Sequence, residues 1–275
     1  GLGDVYKRQG IPPCRSRHGS AAAVTSNTAV GPHQAHHRAH RTRTEKGDAD
    51  MARVNGEMVI AIDGPSGSGK SSTSRMVATR LGLAHLDTGS MYRALACAVS
   101  RAGINPQDEP DRVIDLAGSA DIRVDTRPGR DTVVINGVDV TEEIRDPRTS
   151  ARVSAVATIP QVRVLLVERM RDIVERNDRR IVVEGRDITT VVCPDAQVRV
   201  LLVADPAVRM ARRARELGDD VDQTQMHDQI VRRDRDDATV SQFETPAPGV
   251  TLIDSTSLDL DEVVTKVVAL TEQVG

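Results

Sequence analysis

The residues whose types and spacing most clearly suggest a chemical function are 59–72, VIAIDGPSGSGKSS. In this stretch an apolar run ends at Asp63 and a glycine-rich segment follows. Gly64, Gly69, Lys70 and Ser71 match the pattern G-x-x-x-x-G-K-[ST]. In this pattern backbone N–H groups surround a phosphate, the lysine reaches the β- and γ-phosphates, and the serine hydroxyl ligates Mg²⁺. The stretch therefore predicts a nucleoside triphosphate site made of Gly64, Pro65, Ser66, Gly67, Ser68, Gly69, Lys70, Ser71 and Ser72.

Three further charged clusters could bind the second substrate. LDTGSMYR (86–93) and VVEGRDITTVV (182–192) each place charges at the end of an apolar run, where a charge needs a partner or a ligand. Arginines crowd 209–215 and 230–240, where they could stabilise a transferred phosphate or simply form i,i+4 pairs on a solvated helix. A GTPase base-reading element of the NKxD type is not found, although the glycine-rich loop alone does not separate kinases from GTPases or ATPases.

Composition excludes several other function classes. The net charge is −3, so there is no global signal for polyanion binding, and only three aromatic residues are available to stack on bases. The three cysteines form no CxxC pair, which favours a reducing compartment without a disulfide framework or zinc site. No apolar run approaches the ~18 residues of a membrane helix. From these features we predict a cytoplasmic protein with no nucleic-acid or membrane partner. We predict a monomer, since no coiled-coil seam or sustained apolar surface helix is visible.

Residues 1–50 differ in composition from the rest of the chain. They carry eight Lys or Arg against four Asp or Glu, hold five of the seven histidines, and show no sustained helical or strand period. Our interpretation is a disordered or artefactual extension, with Met51 or Met58 as a natural start. The alternative is a basic arm that binds nucleic acid or metal through HQAHHRAH at 33–40.

From residue 58 onward, apolar strand patterns alternate with helical periodicity, which predicts an α/β fold with a five-stranded parallel sheet flanked by helices. Residues 120–140 change to short strands around RPGR, which predicts a small antiparallel insertion. Ligands of such sheets bind at the carboxyl ends of the strands. The predicted strands are 58–63, 84–87, 180–185, 197–204 and 249–255, and the predicted helices are 70–81, 91–101, 106–118, 147–177 divided at Pro160, 206–217, 222–238 and 259–273.

Taken in order, GPSGSGKSS, LDTGSMYR, EIRDPRTSARVSAVATIPQVR, VVEGRDITTVV and RRDRDD resemble bacterial cytidylate kinases over about residues 58–273. The resemblance implies the nucleoside-monophosphate-kinase fold, and transfer of the γ-phosphate of ATP to CMP or dCMP with Mg²⁺. It implies a kinase domain at 51–275, with a monophosphate-binding lobe at about 88–178 and a mobile lid at about 206–240.

The same resemblance implies site residues. For CMP they are Thr88, Tyr92, Arg93, Ser154, Arg163, Arg186, Asp187, Arg233 and Asp237. For catalysis they are Lys70, Arg186, Arg209, Arg213 and Arg233, with Arg212 as a further lid arginine and Ser71 as the Mg²⁺ ligand.

Several positions depart from the family pattern, among them Ala247 after Pro246, where a leucine is usual. Val240 stands where an arginine is usual, and Thr189 stands where a glycine is usual. These departures support an alternative hypothesis, a nucleotide-binding module with weak or no transfer activity. A third hypothesis is a kinase for another monophosphate or a small metabolite. Ser154 and Arg163 speak against it, because the resemblance implies that they contact the cytosine and the phosphate of CMP.

Overall fold

The computed structural model describes residues 56–217 and 245–274. The strands are β1 (Met58–Asp63), β2 (Ala84–Asp87), β3 (Ile122–Val124), β4 (Val133–Ile135), β5 (Val138–Asp139), β6 (Arg180–Gly185), β7 (Val198–Val203) and β8 (Thr251–Asp254). The helices are α1 (Lys70–Leu81), α2 (Thr88–Arg101), α3 (Pro110–Ser119), α4 (Pro147–Ala157), α5 (Pro160–Arg176), α6 (Pro206–Leu217) and α7 (Leu260–Glu272). A 3₁₀ turn spans Glu143–Arg145 and a π-helical turn spans Ile188–Val192.

Five strands form one parallel sheet in the order β2-β6-β1-β7-β8, which confirms the predicted α/β fold class. β1 is central and buried along its whole length, as an unbroken apolar run predicts. Its side chains alternate between two cores. Val59 and Ala61 pack with α2–α5, whereas Ile60 and Ile62 pack with α1 and α7, so helices cover both faces of the sheet.

The predicted insertion is confirmed as a three-stranded antiparallel sheet in the order β3-β4-β5. Val133, Ile135 and Ile144 form a small third core with Ala94 and Cys97 of α2. Two polar links join the insertion to the large sheet and to α1. His85 N–H donates to the Thr126 carbonyl at 2.7 Å, and Asp131 pairs with Arg75 at 3.2 Å.

Most element boundaries agree with the sequence prediction. α1 ends at Gly82, whose φ of 64° is the left-handed conformation that closes many helices. α2 begins at Thr88 rather than 91, because the Asp87 carboxylate accepts a hydrogen bond from Ser90 N–H and caps the helix there. α3 begins at Pro110 rather than 106, since proline suits the first turn of a helix.

The division at Pro160 is confirmed, and the helix predicted at 222–238 lies outside the described residues. Within 56–217 and 245–274, every helix is too short or too polar to cross a bilayer.

Candidate active site

The site lies where the carboxyl ends of β1, β2 and β6 meet. Asp63 pairs in register with Gly185, and Asp87 pairs with Glu184, so three acidic side chains converge on one edge of the sheet. Asp63 and Glu184 are buried, at 3% and 1% exposure. Such buried carboxylates need hydrogen-bond donors or cations around them, and the loops that follow these strands supply both.

The glycine-rich loop turns back over β7 and α6 at points where only glycine fits. A Cβ on Gly64 would lie 2.2 Å from the Leu202 carbonyl oxygen. Gly67 has a φ of 74°, and a Cβ there would lie 2.6 Å from the Arg209 carbonyl oxygen. Gly69, at φ 89°, precedes α1 and offers no side chain to cap its first amides. Those amides, at the positive end of the helix dipole, suit a phosphate group.

Lys70 and Ser71 open α1 beside this loop. Lys70 Nζ lies 3.4 Å from the Pro65 carbonyl oxygen, so the ammonium group stays over the loop. Ser71 Oγ donates to Glu184 Oε2 at 2.8 Å. Glu184 Oε1 accepts no hydrogen bond from the described residues and lies 3.5 Å from His85 Nε2. A serine hydroxyl beside an incompletely satisfied buried carboxylate fits a hydrated Mg²⁺, which prefers oxygen ligands and retains water.

The first arginines of α6 reach the same loop from the other side. Arg209 Nη1 donates to the Ser66 carbonyl at 3.0 Å. Arg212 donates to Ser255, with Nη1 2.9 Å from Oγ and Nη2 2.7 Å from the carbonyl, and its Nη1 lies 3.5 Å from the Ser68 carbonyl. The main chain of Arg213 lies in the same helix. α6 is therefore positioned to bring positive charge to a bound triphosphate.

On the acceptor side, Arg93 Nη2 contacts Asp87 Oδ2 at 2.5 Å, and Tyr92 is half-buried against the core. Burial opposes ionisation of Asp87, but the charges of Arg93, His85 and Lys70 outweigh it and hold the pKa of Asp87 below its usual value. Thr88 Oγ1 donates to the Glu184 carbonyl at 2.8 Å, which links the start of α2 to β6.

Arg163 and Asp187 form a buried ion pair, at 7% and 8% exposure, although they are 24 residues apart in sequence. Arg186 Nη1 donates to the Gly64 carbonyl at 2.6 Å and so joins the acceptor side to the phosphate loop. Ser154 is half-buried on α4, which precedes the helix of Arg163. The structure thus brings Arg163, Arg186 and Asp187 to the sheet edge occupied by the phosphate loop.

Asp63 is a residue of this site that the sequence analysis did not assign. Its carboxylate accepts hydrogen bonds from Ile188 N–H (2.8 Å), Thr189 N–H (2.9 Å) and Thr189 Oγ1 (2.6 Å). Burial raises the pKa of Asp63 to about 6, against the opposing effect of these donors, and the charge of Asp187 raises it further. The available signal was an acidic residue ending a fully apolar strand.

Thr189, which the sequence analysis singled out, shows no backbone strain. Its side chain is buried at 4% exposure, and the described residues with positive φ other than glycine are Asn136, Asp178 and Arg179. Arg233, Asp237 and Val240 lie outside the described residues.

Comparison with known proteins finds a cytidylate kinase family model and several cytidylate kinase relatives that match this chain. A family model described as cytidylate kinase matches residues 60–273. A cytidylate kinase of Cutibacterium acnes is 66% identical over 214 residues, covering 78% of this chain and 95% of that protein. Cytidylate kinases of Corynebacterium efficiens and Streptomyces avermitilis are 43% and 40% identical, covering 79% and 81% of this chain and 96% of each relative.

Proposed function

This chain belongs to the cytidylate kinase family, and we propose that it transfers the γ-phosphate of ATP to CMP or dCMP, giving ADP and CDP or dCDP. One structural observation carries the proposal. Arg186, next to the buried Arg163–Asp187 pair, donates to the main chain of Gly64 in the phosphate loop. A donor site and an acceptor site therefore share one sheet edge, as direct transfer between two nucleotides requires.

The donor nucleotide binds the loop at Gly64–Ser72. Its phosphates accept hydrogen bonds from the loop amides and from the first turn of α1, while Lys70 neutralises charge on the β- and γ-phosphates. Ser71 and Glu184 would hold a Mg²⁺ ion, which would supply positive charge to neutralise the phosphates.

The acceptor nucleotide binds along α2, α4 and α5. Its phosphate competes with Asp87 for Arg93 and also pairs with Arg186. Arg163 and Asp187 bind the nucleoside. Thr88, Tyr92 and Ser154 complete the described part of this site, and Arg233 and Asp237 are proposed on the family resemblance alone.

Catalysis consists of positioning and charge neutralisation. A phosphate oxygen of CMP attacks the γ-phosphorus in line, so no strong general base is needed. Arg186, Arg209 and Arg213, together with Arg233, stabilise charge on the group in transfer. The alternative of a weakened nucleotide-binding module finds no support in the comparisons, which are with cytidylate kinases.

We further propose that the kinase domain spans 51–275, with the monophosphate-binding lobe at about 88–178 and the lid at about 206–240. We propose a cytoplasmic protein, since its three cysteines form no CxxC pair. We propose a monomer, since the sequence shows no coiled-coil seam.

The test is a coupled assay of ADP release with ATP, Mg²⁺ and each of CMP, dCMP, UMP, AMP and shikimate as acceptor. We expect rapid turnover with CMP and dCMP only. Lys70→Met should lower kcat by about 100-fold or more, because it removes one stabilising charge from the transition state. CMP binding by calorimetry without CDP formation would instead support the nucleotide-binding module.

A further inference from the structure

The π-helical turn Ile188–Val192 is held at both of its ends by distant side chains. At its start, the Asp63 carboxylate accepts the two main-chain N–H groups of Ile188 and Thr189. At its end, Arg171 of α5 donates to the carbonyls of Val191 (2.7 Å) and Val192 (3.1 Å). An anion at the first amides and a cation at the last carbonyls match the polarity of a helical turn.

The held turn includes the main chain of an acceptor-site residue. The Asp187 carbonyl accepts N–H bonds from Val191 at 2.8 Å and Val192 at 3.2 Å, so Asp187 cannot move independently of the turn. Its side chain reaches Arg163. Arg186 precedes it and donates to Gly64, the residue that follows Asp63. Asp63 thus lies between the phosphate loop and both acceptor-site side chains.

The Thr189 hydroxyl adds a side-chain bond to this arrangement. Its Oγ1 lies 2.6 Å from Asp63 Oδ2, the oxygen that also accepts the Thr189 N–H. Both residues are more than nine-tenths buried, so the bond is shielded from water. A glycine at this position would supply the N–H but no hydroxyl. The bond from the hydroxyl to Asp63 therefore depends on the side chain of Thr189.

We propose that Asp63 and Thr189 are positioning residues that fix Arg186 and Asp187 for the acceptor nucleotide. Neither contacts a nucleotide, and both act through the turn at 188–192. The inference rests on the proposed function, because it assigns the turn to CMP rather than to ATP. The expected signature is consequently a change in CMP affinity with unchanged ATP affinity.

The experiment compares Thr189→Val, which keeps the side-chain shape and removes the hydroxyl, with Thr189→Ser, which keeps the hydroxyl. The matched control is Thr271→Val. Thr271 is also buried, its hydroxyl donates to the Val268 carbonyl at 2.6 Å, and it lies in α7. The measurements on the full chain are KM for CMP and for ATP, kcat, the melting temperature, and the Kd for CMP by calorimetry without ATP.

We expect Thr189→Val to raise both KM and Kd for CMP by about fivefold to tenfold, because a bond to a buried charged group is lost. KM for ATP should change by less than about twofold, and Thr189→Ser should restore CMP binding. Thr271→Val should lower the melting temperature while leaving both KM values unchanged.

CMP constants for Thr189→Val equal to those of the unmodified chain would overturn the inference. So would an equal rise in KM for both substrates, because that outcome would mark a purely structural role. Failure of the proposed function is distinguishable, since the unmodified chain would then neither bind nor phosphorylate CMP.

Discussion

Among the single residues of the site, two carboxyl groups at the carboxyl ends of the strands have pKa values that their surroundings shift in opposite directions. Asp87 lies beside Arg93, and the pKa of its carboxyl is held below the usual value by that and other positive charges. Among the described residues, the donors to the Asp63 carboxylate are the neutral groups of Ile188 and Thr189, and burial raises the pKa of Asp63 to about 6. The negative charge of Asp187 lies near Asp63 and adds to the rise in its pKa. Two positive groups lie close by. Arg186 donates to the carbonyl of Gly64, the residue after Asp63, and Arg199 Nη1 lies 3.5 Å from the Thr189 carbonyl oxygen.

The first prediction concerns the pH dependence of stability through Asp63. Its pKa rises from 3.8 to about 6 on folding, so the folded state binds this proton more tightly than the unfolded state. Its contribution to the free energy of unfolding is therefore complete below about pH 4 and is lost as pH rises through 6, by an amount on the order of 3 kcal/mol. Denaturant unfolding of the unmodified chain and of Asp63→Asn from pH 4 to pH 8 measures this contribution.

We expect the stability of the unmodified chain relative to Asp63→Asn to fall across that pH range. A difference that stays constant, or that rises with pH, would contradict the raised pKa. The comparison with Asp63→Asn is needed because carboxyls such as Asp125, whose pKa is lowered to about 2 by hydrogen bonds from Arg127, change stability in the opposite direction at lower pH.

The second prediction concerns the buried pair of Arg163 and Asp187. Arg163→Met leaves the Asp187 carboxylate buried without this partner, so we expect a loss of about 3 kcal/mol in the free energy of unfolding and a raised KM for CMP. Arg148→Ala is the control, because Arg148 pairs with Asp146 while 85% exposed and such pairs contribute less than about 1 kcal/mol. Equal losses in both variants would show that burial of the pair contributes nothing.

At the scale of secondary-structure elements, glycines serve two different purposes around α1. Before the helix, Gly64 lets the phosphate loop pass within contact distance of Leu202. After the helix, Gly82 adopts a left-handed conformation with no atom within 4 Å of an added Cβ. The first glycine is required by a close approach between distant segments, whereas the second is required only by local backbone geometry.

The third prediction compares Gly64→Ala with Gly82→Ala. We expect Gly64→Ala to abolish measurable ATP binding, because its Cβ would lie 2.2 Å from a main-chain oxygen and must displace the loop. Gly82→Ala should lower the free energy of unfolding by about 1 kcal/mol and leave KM for ATP unchanged. Calorimetry with ATP and denaturant unfolding measure the two effects. Normal ATP affinity in Gly64→Ala would contradict the observed loop packing.

At the scale of the whole molecule, the described sheet begins at Met58 and the family match spans residues 60–273. The insertion is joined to α1 and to the 3₁₀ turn by Asp131, which pairs with Arg75 and with Arg145 at 2.9 Å. The described elements that form the site, from β1 to α6, lie between Met58 and Leu217.

The fourth prediction is that a chain beginning at Met51 retains the activity of the full chain. We expect kcat and both KM values within about twofold and an unchanged melting temperature, because the described elements of the site begin at Met58 and the family match begins at residue 60. A marked rise in KM for CMP or ATP on removal of 1–50 would instead support a functional basic arm. Steady-state kinetics on both chains at equal ionic strength makes the comparison.

The sequence alone determined what depends on neighbours along the chain. The phosphate loop, the bounds of α1 and β2, and the division of the helical region at Pro160 follow from local patterns of glycine, proline and apolar residues. Tertiary structure decided the order of the strands and the partners of buried charges. Asp63 and Thr189 are separated by 126 residues, and only the position of β6 beside β1 brings them together. Such contacts are long-range consequences of packing, which local periodicity does not encode.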